Sequence, residues 1–307
     1  VIRPTLTGIC GSDSKQILLD FDGDSDSAMS GLCSFPQVLG HEVVGVVTRP
    51  DRPAGRGRRP TPCAVRAQLT GRTVPIRAPE RVNAPEEVAA IAGWRPDLMV
   101  VADYGALLKP VLLAVPRLGA INVHPSLLPK YRGAAPIPWA IANGETETGV
   151  TVQFMSERMD AGDIILAERE PIDPEDTAAT LEPRLAALGA RLVLRALALF
   201  EHPPVPRTPQ DEAAASYAPK LTKEDGQLDW TRPAEELRNR VRGFFPWPRA
   251  FTWLPGSPPR RLQVLSAAVE PAQGDPGVVL EVGREGLLVA AGRDALRLQR
   301  VQPEGRS

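Results

Sequence analysis

The chain has 307 residues, a net charge of −1 and 43% hydrophobic residues, which are the values of a globular protein of about two domains. The sequence contains no run of about 18 consecutive apolar residues and does not open with a signal peptide, so no membrane segment is expected. Because the net charge is close to zero, the protein as a whole has no long-range electrostatic field that would attract nucleic acid. Three cysteines at irregular spacing do not form a disulfide pattern, which favours a reducing, cytoplasmic location.

Positive charge is concentrated in one short segment near the N-terminus. Residues 49–59 hold five arginines and a single aspartate, together with two prolines and two glycines. Proline and glycine at this density exclude the interior of a helix or strand. The segment therefore predicts an exposed basic loop.

From about residue 42 onward, short apolar runs alternate with helical stretches. A proline followed by two acids predicts the start of a helix over 85–94, and a leucine stripe predicts a docked helix over 181–200. Strands separated by helices indicate βαβ units in an α/β fold with a mostly parallel sheet. The predicted strands cover residues 42–48, 98–102, 119–124, 149–155 and 164–167.

The last third of the chain has a different character. Four prolines in residues 201–210 indicate a stiff linker, which we extend to residue 215. Residues 216–307 contain short apolar runs separated by turn signals, which predict a small antiparallel β-barrel of the OB type. Its three tryptophans, Trp230, Trp247 and Trp253, are expected in the barrel core rather than on a stacking surface.

The sequence INVHPSLLPKYRGAAP at 121–136 is the most informative segment. Asn122 and His124 are two residues apart on a strand, so both side chains leave the same face. Pro125 ends the strand, which places the pair at the carboxyl end where open α/β sheets bind ligands. The alternative is that the two side chains merely cap loops at the strand end.

This segment, together with GETETGVTVQFMSERMDAGDI at 144–164, resembles the folate-dependent formyltransferases. Three further stretches resemble the branch of that family that acts on methionyl-tRNA: VVTRPDRPAGRGRRPTP, SYAPKLTKEDGQLDW and RNRVRGFFPWPRAFT. The resemblance covers residues 42–307 and implies a Rossmann-like catalytic sheet. It also implies a catalytic triad of Asn122, His124 and the aspartate of the MDAG motif, Asp160. Asp163 is the weaker candidate for the third position.

The family resemblance implies transfer of a formyl group from 10-formyltetrahydrofolate to the amino group of methionyl initiator tRNA. An amide and a protonated imidazole could stabilise the oxyanion that develops, and a carboxylate would favour the charged imidazole. No metal, no membrane and a monomeric protein are expected. The residues implied in folate binding are Tyr104, Gly105, Ala106, Leu107, Ser126, Leu127, Leu128 and Pro129. The residues implied in tRNA binding are Arg52, Arg56, Arg58 and Arg59, with backbone contacts added by the C-terminal barrel.

The first forty residues resemble a different family. The motifs TGICGSD and FPQVLGHEVVG are similar to the start of zinc-dependent alcohol dehydrogenases, where Cys10, His41 and Glu42 would be placed as zinc ligands. The resemblance ends near Val47. We therefore expect a chimera of a foreign segment at 1–41, a catalytic domain at 42–200, the linker at 201–215 and the barrel at 216–307. The first strand of the sheet would then be missing, and the chain would fold poorly or have weak activity.

Three alternatives remain at this point. The chain could be a fragment of a zinc-dependent alcohol dehydrogenase, although the glycine fingerprint for a nicotinamide cofactor is absent. It could be a folate-dependent formyltransferase that acts on an amino sugar. It could also be an RNA-binding remnant that has lost its catalytic activity.

Overall fold

A computed structural model describes residues 5–10, 42–54, 58–69, 71 and 73–304. The chain divides into two compact units. The first takes the described residues up to Arg132, together with Gly149–Glu170 and Glu182–Ser216; the second takes Gly133–Thr148, Pro171–Leu181 and the described residues from Tyr217 onward. The domain bounds predicted at residues 200 and 216 stay predictions, because the chain crosses between the two units several times.

The first unit is built around a mostly parallel sheet of seven strands. In chain order the strands of this part are β1 Thr5–Cys10, β2 Glu42–Thr48, β3 Arg52–Ala54, β4 Arg59–Thr61, β5 Ile76–Arg77, β6 Leu98–Ala102, β7 Ala120–His124, β8 Glu147–Phe154 and β9 Ile164–Pro171. The sheet has the order β5-β2-β1-β6-β7-β8-β9. The pairs from β5 to β7 are parallel, and β8 runs antiparallel to β7. The predicted α/β fold is confirmed.

The expectation that the first strand is missing is wrong. β1 lies between β2 and β6 and pairs in parallel with both, so that Thr7 lies opposite Gly45 on one side and Met99 on the other. The proline at position 4 precedes the strand, and every residue from Thr5 to Cys10 keeps its backbone N–H for the ladder. Because β2 and β6 both have a partner, the reason for expecting a poorly folded chain disappears.

The helices begin where the sequence places proline. Pro85, Pro110 and Pro136 each occupy the first turn of a helix, where a missing N–H costs nothing. The helices are α1 Ala64–Gln68, α2 Pro85–Gly93, α3 Pro110–Leu113, α4 Pro136–Ala142, α5 Ala178–Glu201 and α6 Ala234–Gly243. Among the described residues, none of these helices has the length and apolar character needed to cross a membrane.

The apolar core of the first unit lies between the sheet and its helices. One cluster joins Val47 of β2, Met99 of β6 and Ile91 of α2 in fully buried contact. The leucine stripe of α5 is buried as predicted at Leu181, Leu185, Leu188 and Leu192. This packing fixes β7 in the interior of the sheet, so that its carboxyl end is held rigidly.

The second unit contains an antiparallel sheet of five strands, in the order β10-β11-β14-β13-β12. The strands are β10 Ala250–Leu254, β11 Arg260–Glu270, β12 Val279–Gly283, β13 Gly286–Ala290 and β14 Ala295–Pro303. Leu237 and Val241 of α6 pack on its inner face with Val264 and Leu296. The predicted antiparallel β-domain is confirmed.

Two of the three tryptophans expected in this core lie on the surface. Trp230 is partly buried against the core, but Trp247 and Trp253 are 51% and 47% exposed. Trp253 belongs to β10, a strand at the edge of the sheet, and follows the buried Phe251 by two residues. The expectation of a core position is therefore wrong for Trp247, which precedes β10, and for Trp253, which lies near the end of that edge strand, since aromatic composition alone does not fix how far a side chain is covered.

The helix α5 offers a direct test of the packing that holds the sheet. Leu188 is 1% exposed, so its replacement by alanine removes about 2–5 kcal/mol of stability through lost burial and a residual cavity. Val282→Ala on the edge strand β12, at a side chain that is 76% exposed, is the control and should change the unfolding free energy by less than about 0.5 kcal/mol. Equal midpoints for the two variants in urea denaturation would contradict this packing.

Candidate active site

Asn122 and His124 occupy the carboxyl end of β7. The strand alternates, so both side chains leave the same face, and Pro125 follows directly. His124 is 4% exposed, whereas Asn122 is only partly buried. The structure therefore places the pair where the sequence predicts it, at the end of an interior strand of a parallel sheet.

The ring of His124 is oriented by a backbone group. Its Nε2 lies 2.8 Å from the carbonyl oxygen of Tyr131. Because a carbonyl only accepts, Nε2 must carry a proton and donate it. The other ring nitrogen, Nδ1, is then the atom that can exchange a proton or donate a further hydrogen bond.

Asp160 faces both of these residues. Its Oδ2 lies 3.8 Å from Nδ1 of His124, and its Oδ1 lies 3.5 Å from Nδ2 of Asn122. The first distance exceeds hydrogen-bond range, and the second lies at its limit. Asp163, the weaker candidate, pairs instead with Arg207 at 3.6 Å.

A tight turn carries Asp160 to this position. Asp160 has a φ of +48°, a left-handed conformation that aspartate tolerates better than most residues. A Cβ on Gly162 would lie 1.8 Å from the carbonyl oxygen of Phe154, so only glycine allows the turn to return against the end of β8. The MDAG motif thus supplies both the carboxylate and the backbone that positions it.

The antiparallel neighbour β8 contributes two side chains that the sequence reasoning missed. Gln153 lies opposite Asn122 in the register and its Nε2 is 3.4 Å from Oδ1 of Asp160. Thr151 lies opposite His124, donates to the carbonyl of Ser126 at 2.7 Å and accepts from the amide of Leu128 at 3.1 Å. Both could have been found from the alternation of β8, had its antiparallel register with β7 been known.

Two further residues contact the site from outside the sheet. Gln210, in the segment predicted as a linker, donates to Gln153 and to the backbone of the turn that carries Asp160. Arg132 is fully buried and binds Gln210 and Glu212. No sequence signal distinguishes a single glutamine in a proline-rich stretch, so reasoning from the sequence could not find Gln210.

Glu212 balances the charge of Arg132. It lies 3.0 Å from the Arg132 guanidinium and also contacts Arg158. Hydrogen bonds from Arg132 and then Arg158 lower the pKa of the Glu212 carboxyl to about 2. The carboxylate therefore stays charged throughout the neutral range and compensates a guanidinium that has no access to solvent.

The loop implied in folate binding follows β6. Tyr104 is buried in the apolar cluster of the first unit, and this burial raises the pKa of its hydroxyl to about 12. Gly105, with a φ of +72°, and Ala106 are exposed, as is Leu107. Asn83 fixes the loop by donating to the carbonyl of Leu107 at 2.8 Å. The loop thus exposes backbone and apolar side chains, and it is held in place by buried Tyr104 and by the hydrogen bond from Asn83.

The second implied folate segment begins directly after His124. Ser126 is fully buried and its hydroxyl donates to the carbonyl of Lys130 at 2.6 Å. Leu128 is also buried, whereas Leu127 and Pro129 are partly accessible. Ser126 and Leu128 therefore hold the loop from within, and Leu127 and Pro129 are the members with accessible surface.

The basic segment forms a short hairpin of β3 and β4, which differs from the irregular loop that was predicted. Arg52 donates to the carboxylate of Glu80 at 2.7 Å, while Arg58 and Arg59 are exposed and pair with no acid among the described residues. Arg56 lies outside the described residues. The hairpin brings free positive charge to its tip, where Arg58 has a φ of +45°.

The zinc ligands implied by the dehydrogenase resemblance fall outside what the structure describes. This applies to His41 and to the side chains of Cys10 and Glu42. Within the described part of the chain, no three histidine, cysteine, aspartate or glutamate side chains cluster in a way that could hold a metal. A metal role for Cys10, His41 and Glu42 stays a prediction.

The pair of Glu212 and Arg132 predicts a pH-dependent contribution to stability. Since the folded pKa of Glu212 lies below its ordinary value of 4.5, the contribution is complete above pH 4.5 and declines as the pH falls towards 2. Glu212→Gln should therefore lower the unfolding free energy at pH 7, and its difference from the parent should narrow below pH 4.5. Urea denaturation at several pH values measures this, with the exposed Glu157→Gln as control. A difference that widens on acidification would contradict the assignment.

Comparison with known proteins identifies the family. The formyl transferase family model matches residues 28–197, and the model of the C-terminal domain of formyl transferases matches residues 220–307. The methionyl-tRNA formyltransferase of Geobacter sulfurreducens is 45% identical over 267 residues, covering 87% of this chain and 83% of the relative. That of Pseudomonas syringae pv. tomato is 45% identical over 265 residues, covering 86% and 83%.

The match also extends into the N-terminal segment that we assigned to a dehydrogenase. The first family model begins at residue 28, and the methionyl-tRNA formyltransferase of Desulfotalea psychrophila is 42% identical over 298 residues, covering 96% of this chain and 91% of the relative. A match of that coverage must include most of residues 1–41. The expectation of a foreign segment and a chimera is therefore not supported.

Solved structures agree on the fold. A sugar 3N-formyl transferase, WlaRD, has a TM-score of 0.66 at 14% identity, with full coverage of both chains. HypX from Aquifex aeolicus, in complex with tetrahydrofolic acid, has a TM-score of 0.56 at 24% identity, covering 77% of this chain and 41% of that one. These structures support the fold alone, whereas the sequence matches identify the protein family. The chain belongs to the formyl transferase family, among the methionyl-tRNA formyltransferases.

Proposed function

We propose that this chain transfers the formyl group of 10-formyltetrahydrofolate to the amino group of methionyl initiator tRNA. The observation that carries the proposal is the convergence of Asn122, His124 and Asp160 at the end of β7, in a chain about 45% identical to methionyl-tRNA formyltransferases. The chemistry of formyl transfer needs hydrogen-bond donors for an oxyanion and a route for one proton, and this group offers both.

The reaction exchanges one carbon–nitrogen bond for another. The amino nitrogen of the methionyl group attacks the formyl carbon, and the carbonyl electrons move onto oxygen. When the tetrahedral intermediate collapses, the bond from the formyl carbon to N10 of the folate breaks. The attacking amine loses a proton and N10 gains one, so that no other reactant is consumed.

Each polar group has a role that follows from its surroundings. The Nδ2 of Asn122 lies 3.5 Å from Oδ1 of Asp160, which is the upper limit of a hydrogen bond. The amide is therefore able to donate to the developing oxyanion instead. His124 donates from Nε2 to Tyr131, so Nδ1 provides the charge-assisted bond to the same oxygen. Asp160 stabilises the protonated ring from 3.8 Å and orders a water that relays the proton of the amine.

The folate is proposed to lie beside the loop of Tyr104, Gly105, Ala106 and Leu107. The exposed backbone there is anchored by Asn83, which supports a rigid wall for a flat ring. The segment of Ser126, Leu127, Leu128 and Pro129 is proposed to form the opposite side. Leu127 and Pro129 supply accessible surface, and buried Ser126 and Leu128 maintain the shape.

The tRNA is proposed to contact the basic hairpin at its tip. Arg58 and Arg59 are exposed, and arginines of this kind bind phosphate groups. Arg52 would have to leave Glu80 to take part, and Arg56 is proposed from the sequence alone. The domain at 216–307 is proposed to add backbone contacts, and the protein is proposed to act as a monomer in the cytoplasm, where charged tRNA is available.

The catalytic roles are tested by two alanine substitutions. Removing one donor to an oxyanion costs about 100- to 1,000-fold in kcat, so Asn122→Ala should lose this much activity and His124→Ala at least as much. The assay is formylation of charged initiator tRNA with 10-formyltetrahydrofolate. The exposed His202→Ala is the matched control and should retain the parental rate.

The same assay separates this function from its alternatives. An unchanged rate in His124→Ala would remove the catalytic assignment. Formylation of an amino-sugar nucleotide in preference to charged tRNA would indicate a sugar formyltransferase instead. Binding of tRNA without any formyl transfer by the parent would indicate an RNA-binding remnant.

The hairpin is tested through the salt dependence of the reaction. Arg58→Ala and Arg59→Ala should raise the KM for tRNA and leave the KM for the folate unchanged. Each lost phosphate contact should reduce the slope of log binding constant against log salt concentration by about 0.7–0.9. Arg117→Ala, which removes an exposed arginine paired with Asp97, is the control. A parental salt slope in both hairpin variants would contradict a role in tRNA binding.

A further inference from the structure

We propose that Gln210 is a positioning residue of the active site, which holds the turn carrying Asp160 and is itself held by buried Arg132. This inference rests on the proposed function, because it assigns Gln210 an effect on formyl transfer through Asp160. It also places part of the proline-rich segment 201–215, predicted as a linker, within the catalytic machinery.

The side-chain amide nitrogen of Gln210 donates hydrogen bonds to three carbonyl oxygens. Its Nε2 lies 2.9 Å from the backbone oxygen of Asp160, 2.7 Å from that of Gly162 and 2.9 Å from Oε1 of Gln153. With two hydrogens for three acceptors, at least one of these bonds is shared. One side chain thus joins both sides of the MDAG turn to the strand β8.

These bonds are shorter than the contacts that Oδ1 of Asp160 makes with Asn122 and Gln153. The Oδ1 of Asp160 lies 3.5 Å from Asn122 and 3.4 Å from Gln153, both at the limit of hydrogen bonding. The backbone of Asp160 also adopts a positive φ, a conformation that persists when surrounding contacts impose it. The bonds from Gln210 to the turn are therefore well suited to impose it.

Arg132 fixes which way the Gln210 amide faces. Its Nη2 and Nε donate to Oε1 of Gln210 at 2.7 and 3.0 Å, so the oxygen of the amide must face the guanidinium and the nitrogen must face the turn. Arg132 is fully buried and directly follows Tyr131, the residue whose carbonyl accepts the hydrogen bond from Nε2 of His124. One buried guanidinium therefore connects the supports of both His124 and Asp160.

A secondary-structure anchor keeps Gln210 in register with the turn. Thr208 and Ile164 exchange a pair of backbone hydrogen bonds at 2.8 and 2.9 Å, two residues before Gln210 and at the start of β9. Further along, the amide and the carbonyl oxygen of Ser216 bond to the backbone of Pro129 and Arg132. The segment between these two points is thus tied to the first unit at both ends.

The test uses Gln210→Met, which keeps the length of the side chain but removes both its donors and its acceptor. A displacement of about 1 Å at a catalytic group can cost up to about 100-fold, so kcat should fall by about 10- to 100-fold while both KM values stay near those of the parent. The exposed Gln299→Met is the matched control and should retain the parental kcat. Thermal melts of all variants report the folded fraction, to which each rate is normalised.

A double-mutant cycle with Asp160→Asn isolates the positioning role. If Gln210 acts through Asp160, Gln210→Met causes little further loss in the Asp160→Asn background, measured under single-turnover conditions with excess enzyme. The same proportional loss in both backgrounds, or a parental kcat in Gln210→Met, would overturn the inference. Absence of formyl transfer by the parent chain would instead refute the proposed function.

A second variant covers the case in which Gln210→Met fails to fold. Gln210→Glu keeps an oxygen that can accept from Arg132. It replaces the Nε2 donor by a carboxylate oxygen, which would face the three oxygens that now accept from Nε2. It should lose kcat at least as strongly as the methionine variant, with the same lack of additivity. Parental kcat in a folded Gln210→Glu would contradict the proposal.

Discussion

The hydrogen bond from His124 Nε2 to the carbonyl of Tyr131 is the contact on which the site depends. It fixes the neutral tautomer of a ring that is 4% exposed and leaves Nδ1 as the unprotonated nitrogen of the neutral ring. It also explains why Asp160 lies on the Nδ1 side of the ring. A ring without this contact could rotate, and the carboxylate would then face either nitrogen.

The rest of the first unit holds the two ends of that hydrogen bond. His124 is held at the end of an interior strand, between β6 and the antiparallel β8. Tyr131 is held by its amide, which donates to the hydroxyl of Ser216, and by its neighbour Arg132. Because Arg132 also binds Gln210, whose amide reaches the turn of Asp160, one buried charge connects the supports of His124 and Asp160. Glu212 pairs with this buried charge at 3.0 Å and compensates it.

Much of the fold could be predicted from the sequence, because the apolar runs of β2, β6 and β7 and the leucine stripe of α5 have clear periodicity. The first strand could not, since Pro4 and an unrelated resemblance obscured a six-residue strand whose partners lie far along the chain. The pair Asn122 and His124 could be predicted from strand alternation. Gln153, Gln210 and Arg132 could not, because their roles depend on tertiary contacts across 57 to 78 residues of sequence.

The central claim is the tautomer of His124, and nitrogen-15 NMR of histidine-labelled protein tests it most directly. The signal of His124 is assigned by its loss in His124→Ala. At a pH where the ring is neutral, the account predicts a protonated Nε2, an unprotonated Nδ1 and slow exchange of the Nε2 proton with water. A neutral ring protonated at Nδ1 would contradict the account, because Nε2 would then have no hydrogen to donate to the carbonyl of Tyr131.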